Sequence, residues 1–118
     1  MTLAPETTDL KIQLRLAADD WLTVCDLTAL TPGRGVAALL PDGRQAALFR
    51  DRAGRLYAIG NRDPFTGAAV LSRGLTGTHA GRPYVASPLL KQRFDLESGQ
   101  CLDDETVRVP AYEVRAAV

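Results

Sequence analysis

From residue 10 the chain alternates: Leu10, Ile12, Leu14 and Leu16 are separated by Lys11, Gln13 and Arg15. A period of two marks a half-buried strand, because successive side chains of an extended chain point to opposite faces. Ala17-Ala18-Asp19-Asp20 breaks the pattern, and Trp21-Leu22-Thr23-Val24-Cys25 forms a second β-prone run. A polar stretch then closes on the turn at Pro32-Gly33. Three strand-like segments follow at short, even spacing, 35–40, 45–50 and 56–60, separated by turns containing Asp42-Gly43 and Ala53-Gly54. This is the pattern of a β-meander. Residues 61–83 hold Gly67, Gly74, Gly77 and Gly81 without a sustained apolar pattern and read as one long, ordered loop region. Loops of that length in a compact domain are uncommon and often functional. Strand-like segments resume at 84–86, 92–96 and 107–115, with Glu97-Ser98-Gly99 as a turn. No ten-residue stretch carries a helical stripe. The expected fold class is therefore all-β, built of antiparallel sheets, with at most one short helix near 68–72. Residues 1–8 read as a flexible N-terminal tail and 9–118 as one domain without internal repeats. The strand at 10–16 is a candidate exposed edge for self-association with a second chain.

Composition narrows the function classes. The 118 residues are 46% hydrophobic and 24% charged, near the globular average. Lys plus Arg and Asp plus Glu each number 14, so the net charge is zero and there is no basic field for a nucleic acid. No apolar run approaches a membrane span, and the N-terminus lacks the basic start and apolar core of a signal peptide. The expectation is a soluble, cytoplasmic protein with no membrane or nucleic-acid partner. Cys25 and Cys101 are too far apart for a C-x-x-C pair and read as small buried hydrophobes. The single histidine, His79, cannot build a metal site alone, and no G-x-S-x-G elbow is present. It reads as an exposed loop histidine. The glycines at 74–81 match neither phosphate-binding fingerprint, and Asp103-Asp104-Glu105 reads as a solvated loop. No catalytic residue is expected.

The most informative strings are Asn61-Arg62-Asp63-Pro64-Phe65 and Ser87-Pro88-Leu89-Leu90-Lys91-Gln92-Arg93-Phe94-Asp95-Leu96 with Gly99 beyond. Their layout resembles the Rieske-type ferredoxin domain, in which two loops at one end of a β fold clamp a [2Fe–2S] cluster with C-x-H and C-P-x-H-G. Asn61 and Asp63 fall at the first pair of ligands, Ser87 and Leu90 at the second, while Pro88, Phe94, Asp95 and Gly99 keep the supporting pattern. Such a cluster needs two thiolates and two imidazoles. With all four ligand positions altered and one histidine in the chain, no cofactor or metal is expected here.

That departure is similar to a narrower family, the small subunits of assimilatory NAD(P)H-dependent nitrite reductases, over residues 21–115. The strings that carry it include Ala58-Ile59-Gly60-Asn61, Val70-Leu71-Ser72-Arg73-Gly74 and the run from Ser87 to Leu96. The resemblance implies a non-catalytic subunit without an active site of its own. Its partner would be a large subunit bearing FAD, a [4Fe–4S] cluster and sirohaem, which reduces nitrite to ammonium. The two loops offer apolar groups, Pro64, Phe65, Pro88, Leu89 and Leu90, beside the cations Arg62, Arg73, Lys91 and Arg93. That mixture suits a protein interface. Asn61 and Asp63 are expected to tie the first loop to backbone donors in place of a metal cross-link. Two other readings remain: a Rieske-type electron carrier with unusual ligands (Asp63, Ser87 and the two cysteines), and a binding module for a small ligand.

Overall fold

The structure is a computed structural model describing residues 10–118; the expected tail at 1–8, and residue 9, lie outside the described residues. Ten strands follow in order: β1 (Lys11–Ala17), β2 (Asp20–Asp26), β3 (Val36–Leu39), β4 (Gln45–Arg50), β5 (Leu56–Gly60), β6 (Leu75–His79), β7 (Arg82–Ala86), β8 (Arg93–Asp95), β9 (Ala111–Tyr112) and β10 (Val114–Ala117). They form three antiparallel sheets, ordered β10-β1-β2, β3-β4-β5-β9 and β6-β7-β8. The described residues contain no α-helix. Only single 3₁₀ turns occur, at Leu27–Ala29 and Leu71–Arg73.

The meander sheet is the middle layer, and β4 shows why. Its Ala46 and Leu48 pack with Ile12, Leu14, Leu27, Leu30, Leu40 and Ala58, whereas its Ala47 and Phe49 pack with Tyr57, Ile59, Leu71, Val85, Phe94 and Leu96. Alternate residues of one strand thus feed two different cores, which is why Gln45–Arg50 reads as an apolar run rather than an alternation. Burying a side chain such as Leu48 or Phe49 contributes about 1.5–3 kcal/mol, so both faces are held strongly. β1 shows the other pattern. Ile12 and Leu14 are fully buried while Lys11 is exposed and Gln13 and Arg15 are half-buried, as expected of an outer layer.

Some expectations need correction. Residues 61–83 are not one long loop, because β6 and most of the β6–β7 hairpin lie within them. The allowance of at most one short helix near 68–72 is met by a single 3₁₀ turn at Leu71–Arg73. The strand at 10–16 has no free edge: β10 pairs along one side of β1 and β2 along the other. The run at 107–115 is split into β9 and β10 at Glu113, with Pro110 before β9. Of the cysteines, Cys101 is buried as expected and Cys25 only half-buried.

Asp95 ends β8 with a buried carboxylate. It accepts from the Glu97 and Ser98 backbone N–H groups at 2.8 and 2.9 Å and pairs with Arg82. Burial alone would raise its pKa, but Arg82 and the two N–H donors outweigh it and hold the group below the ordinary 3.8. Exposed Asp103 is lowered likewise by the guanidinium and backbone N–H of Arg93. A depressed carboxyl stabilises the fold above its unfolded pKa, and that stabilisation disappears as pH falls through the folded value. The urea midpoint should therefore fall below about pH 4. Asp95→Asn should be less stable than wild type at pH 7, with the difference narrowing towards about pH 2. Parallel midpoints across that range would contradict this.

Candidate functional site

β5 and β7 each run to the same end of the molecule and hand over to a loop. After Gly60, loop 1 turns back on itself. Asp63 donates its N–H to the Ala68 carbonyl at 2.8 Å, and its own carbonyl accepts from Gly67 at 2.7 Å, with a bridge between Arg62 and Ala69. After Ala86, loop 2 closes by Ser87 N–H to Gln92 O at 2.8 Å and Lys91 N–H to Ser87 O at 3.1 Å.

The side chains at the four cluster-equivalent positions have three fates. Asn61 is buried and looks inward: its Oδ1 accepts from the Ser72 N–H at 2.7 Å and its Nδ2 donates to Gln45 Oε1 at 2.9 Å. Asp63 and Ser87, also buried, meet each other. Ser87 Oγ donates to Asp63 Oδ2 at 2.6 Å, while Asp63 Oδ1 accepts from the Phe65 N–H at 2.9 Å. Leu90 is 55% exposed and joins neither group.

Asn61 and Asp63 thus tie loop 1 to backbone donors, as expected. Asp63 also bonds directly across to loop 2, which the sequence reading missed. Serine following a strand gives no hint of its partner 24 positions earlier.

This donor set does not fit a [2Fe–2S] cluster. Leu90 has no donor atom, and Asn61, Asp63 and Ser87 spend theirs on one another, on the backbone or, for Asn61, on the Gln45 side chain. The cysteines offer no rescue. Cys101 sits in the core on one face of the middle sheet, and Cys25 packs against the core on the other. The Cys25 thiol is pushed up by burial and by neighbouring Asp26, away from the thiolate form a metal needs. His79 is exposed in β6, at the end of the hairpin away from Ser87. Among the described residues no group of three or more His, Cys, Asp or Glu side chains is placed to hold a metal ion.

The surface of the same end is apolar with free cations. Leu89 is 50% exposed, and Pro64 and Pro88 are exposed beside Leu90. Phe65 is borderline, with its ring 6.3 Å from that of Phe94, which anchors loop 1 to β8. Arg62, Arg73 and Lys91 are exposed and form no ion pair with any described residue. Arg93 differs. Its guanidinium pairs with Asp103 at 2.9 Å and lies over the Tyr84 ring, so its charge is already neutralised. Lys91 has φ +70°, the left-handed conformation. It occupies the place that the C-P-x-H-G pattern fills with glycine, and a side chain there costs about 1 kcal/mol.

A two-loop end without a cluster's donor set, on a three-layer antiparallel framework, defines a Rieske-like protein. Residues 20–118 match the family described as the Rieske-like [2Fe-2S] domain. The nitrite reductase (NADH) small subunit of Salmonella typhimurium is 47% identical over 96 residues, covering 80% of this chain and 88% of that one. The solved structure of the Escherichia coli protein NirD is 46% identical, with a TM-score of 0.72 over 80% of this chain and 86% of that one. The chain belongs to the Rieske-like family and, within it, to the small subunits of nitrite reductase. A further relative has a different form. The nitrite reductase [NAD(P)H] large subunit of Klebsiella oxytoca is 42% identical over 100 residues, which span 85% of this chain but 10% of that protein.

Proposed function

We propose that this chain is the non-catalytic small subunit of an NAD(P)H-dependent, assimilatory nitrite reductase and docks on the large subunit through its two-loop end. The observation that carries the docking face is the exposure of Leu89 and Leu90 beside Arg62, Arg73 and Lys91 on loops that are otherwise rigidly bonded. Apolar anchors ringed by cations on a pre-organised surface are what a specific interface needs. Lys91 adds support: a residue kept where glycine would be less strained is accounted for if its ammonium contacts a partner. The Klebsiella oxytoca protein supports the pairing, because there a segment like this chain is part of the large subunit itself. The large subunit would carry FAD, a [4Fe–4S] cluster and sirohaem and perform the reduction of nitrite to ammonium. The small subunit would support its assembly or activity. Dependence on NADH, the reductant in the relatives' name, favours a cytoplasmic location.

Leu89→Asp, Leu90→Asp and Lys91→Glu should each weaken binding to the large subunit by about tenfold or more, measured by titration calorimetry. Lys91→Gly is expected to raise the melting temperature while lowering affinity, since it relieves the backbone and removes the charge. Wild-type affinity in all four variants would move the docking face elsewhere.

A further inference from the structure

A second feature adjoins loop 1. A cleft of about 410 Å³ opens beside Asn61, and Arg44, Arg62 and Arg108 line it together with Gln45 and Tyr112. None of its lining residues is a carboxylate, although the whole chain has as many acidic as basic residues. The three arginines differ in how far they are already engaged. Arg62 has no ion-pair partner among the described residues, and Arg108 donates only to the Ser98 carbonyl at 3.2 Å. Arg44 is partly neutralised by Asp42, at 2.6 Å. Gln45 accepts from Asn61 through Oε1, which leaves its amide N–H groups as the capacity it has to spare. The cleft is therefore rich in donors and poor in acceptors. Gly60 and Pro110 also line it, and Gly60 N–H donates to the Pro110 carbonyl at 2.8 Å.

We propose that this cleft receives a carboxylate side chain from an acidic segment of the large subunit. Arginine is suited to the task, because its planar fork binds a carboxylate through two parallel hydrogen bonds and stays charged at every physiological pH. Arg62 belongs to loop 1, so the cleft continues the docking face and the two form one surface. The apolar tip supplies burial, and the arginines fix register and speed encounter. This inference rests on the small-subunit reading, and it names which chemistry of the partner the subunit reads.

The test titrates the large subunit with wild type, Arg62→Glu and Arg62→Glu/Arg108→Glu at 50 and 300 mM sodium chloride, with Leu89→Asp in parallel. Wild-type affinity should fall on raising the salt. The double variant should bind about tenfold or more weaker at low salt and lose most of the salt dependence. Arg62→Glu alone should lose about threefold. Arg62 is exposed and makes no ion pair with any described residue, so this variant serves as the measurement if the double variant melts early. Wild-type affinity and salt slope in the arginine variants overturn the proposal. If Leu89→Asp still weakens binding in that case, docking through the loop tip stands without the cleft. If only the arginine variants weaken it, the cleft stands and the tip does not.

Discussion

Gly99→Ala should destabilise the protein by about 3–4 kcal/mol, the largest effect expected of a single methyl group here. Gly99 lies in the turn after β8 at φ +78°, and a Cβ built there falls 2.0 Å from the Val109 carbonyl oxygen. No rotamer relieves that overlap, because the obstacle is backbone. The backbone of Gly99 is itself fixed, by its N–H on the Asp95 carbonyl at 2.8 Å and its carbonyl on the Val109 N–H at 2.9 Å. Any shift must weaken both bonds, each worth about 1 kcal/mol, and add the cost of a side chain at positive φ, again about 1 kcal/mol. A domain of this size has about 5–15 kcal/mol to lose, so the melting temperature should drop by roughly 10–20 °C. Gly54→Ala is the internal control. Gly54 also has positive φ, but nothing lies within 4 Å of a Cβ there. It should cost about 1 kcal/mol, with both variants measured by urea titration. Equal losses at the two positions would mean that the approach to Val109 is not what Gly99 serves.

Much of this framework was legible where one physical signal dominates. The alternation at 10–16 gave β1, and the turns at Asp42-Gly43 and Ala53-Gly54 set the bounds of β4 and β5 at the observed residues. The signal failed where burial is asymmetric. β6 is Leu-Thr-Gly-Thr-His with Leu75 largely exposed, so its hydrophobicity says nothing about strand. What holds it is the ladder to β7 and the tight turn at Ala80-Gly81, both in the left-handed region. An alanine there hides a hairpin that asparagine would have announced. The free edge expected of β1 failed for another reason. Its partner β10 lies about a hundred positions later, and pairing at that separation leaves no local trace. The same holds for the candidate site. Loop positions Asn61, Asp63, Ser87 and Leu90 were placed by the resemblance to the Rieske ligand pattern, but the bond from Asp63 to Ser87, and the gathering of Arg44, Arg62 and Arg108, exist only once the sheets are assembled.

That bond leads to the second large effect. A buried carboxylate is costly unless its oxygens are satisfied, and Asp63 has no ion-pair partner among the described residues. Ser87 Oγ and the Phe65 N–H are what it has. Ser87→Ala should therefore cost about 1–3 kcal/mol, by stranding a charged oxygen. Asp63→Ala should cost about 3 kcal/mol, because it removes two charge-assisted bonds and releases both loops. If the two residues only cap their own turns, these losses add in the double variant. If they cross-link the loops, Asp63→Ala/Ser87→Ala should be less destabilised than the sum, by about 1–2 kcal/mol, since removing both partners leaves neither one stranded opposite the other. A second readout separates stability from docking. Neither side chain reaches the surface, yet Ser87→Ala should speed amide exchange at Phe65, on the other loop, and shorten the lifetime of the complex with the large subunit. Loops that must be re-ordered on binding spend part of the contact energy on that ordering. In this reading a serine and an aspartate do mechanically what a metal cluster does in the parent architecture: they hold two loops in one fixed relation so that the residues outside them present a constant face. Strict additivity together with unchanged exchange at Phe65 would show instead that each loop is rigid by itself and that the bond between them is incidental.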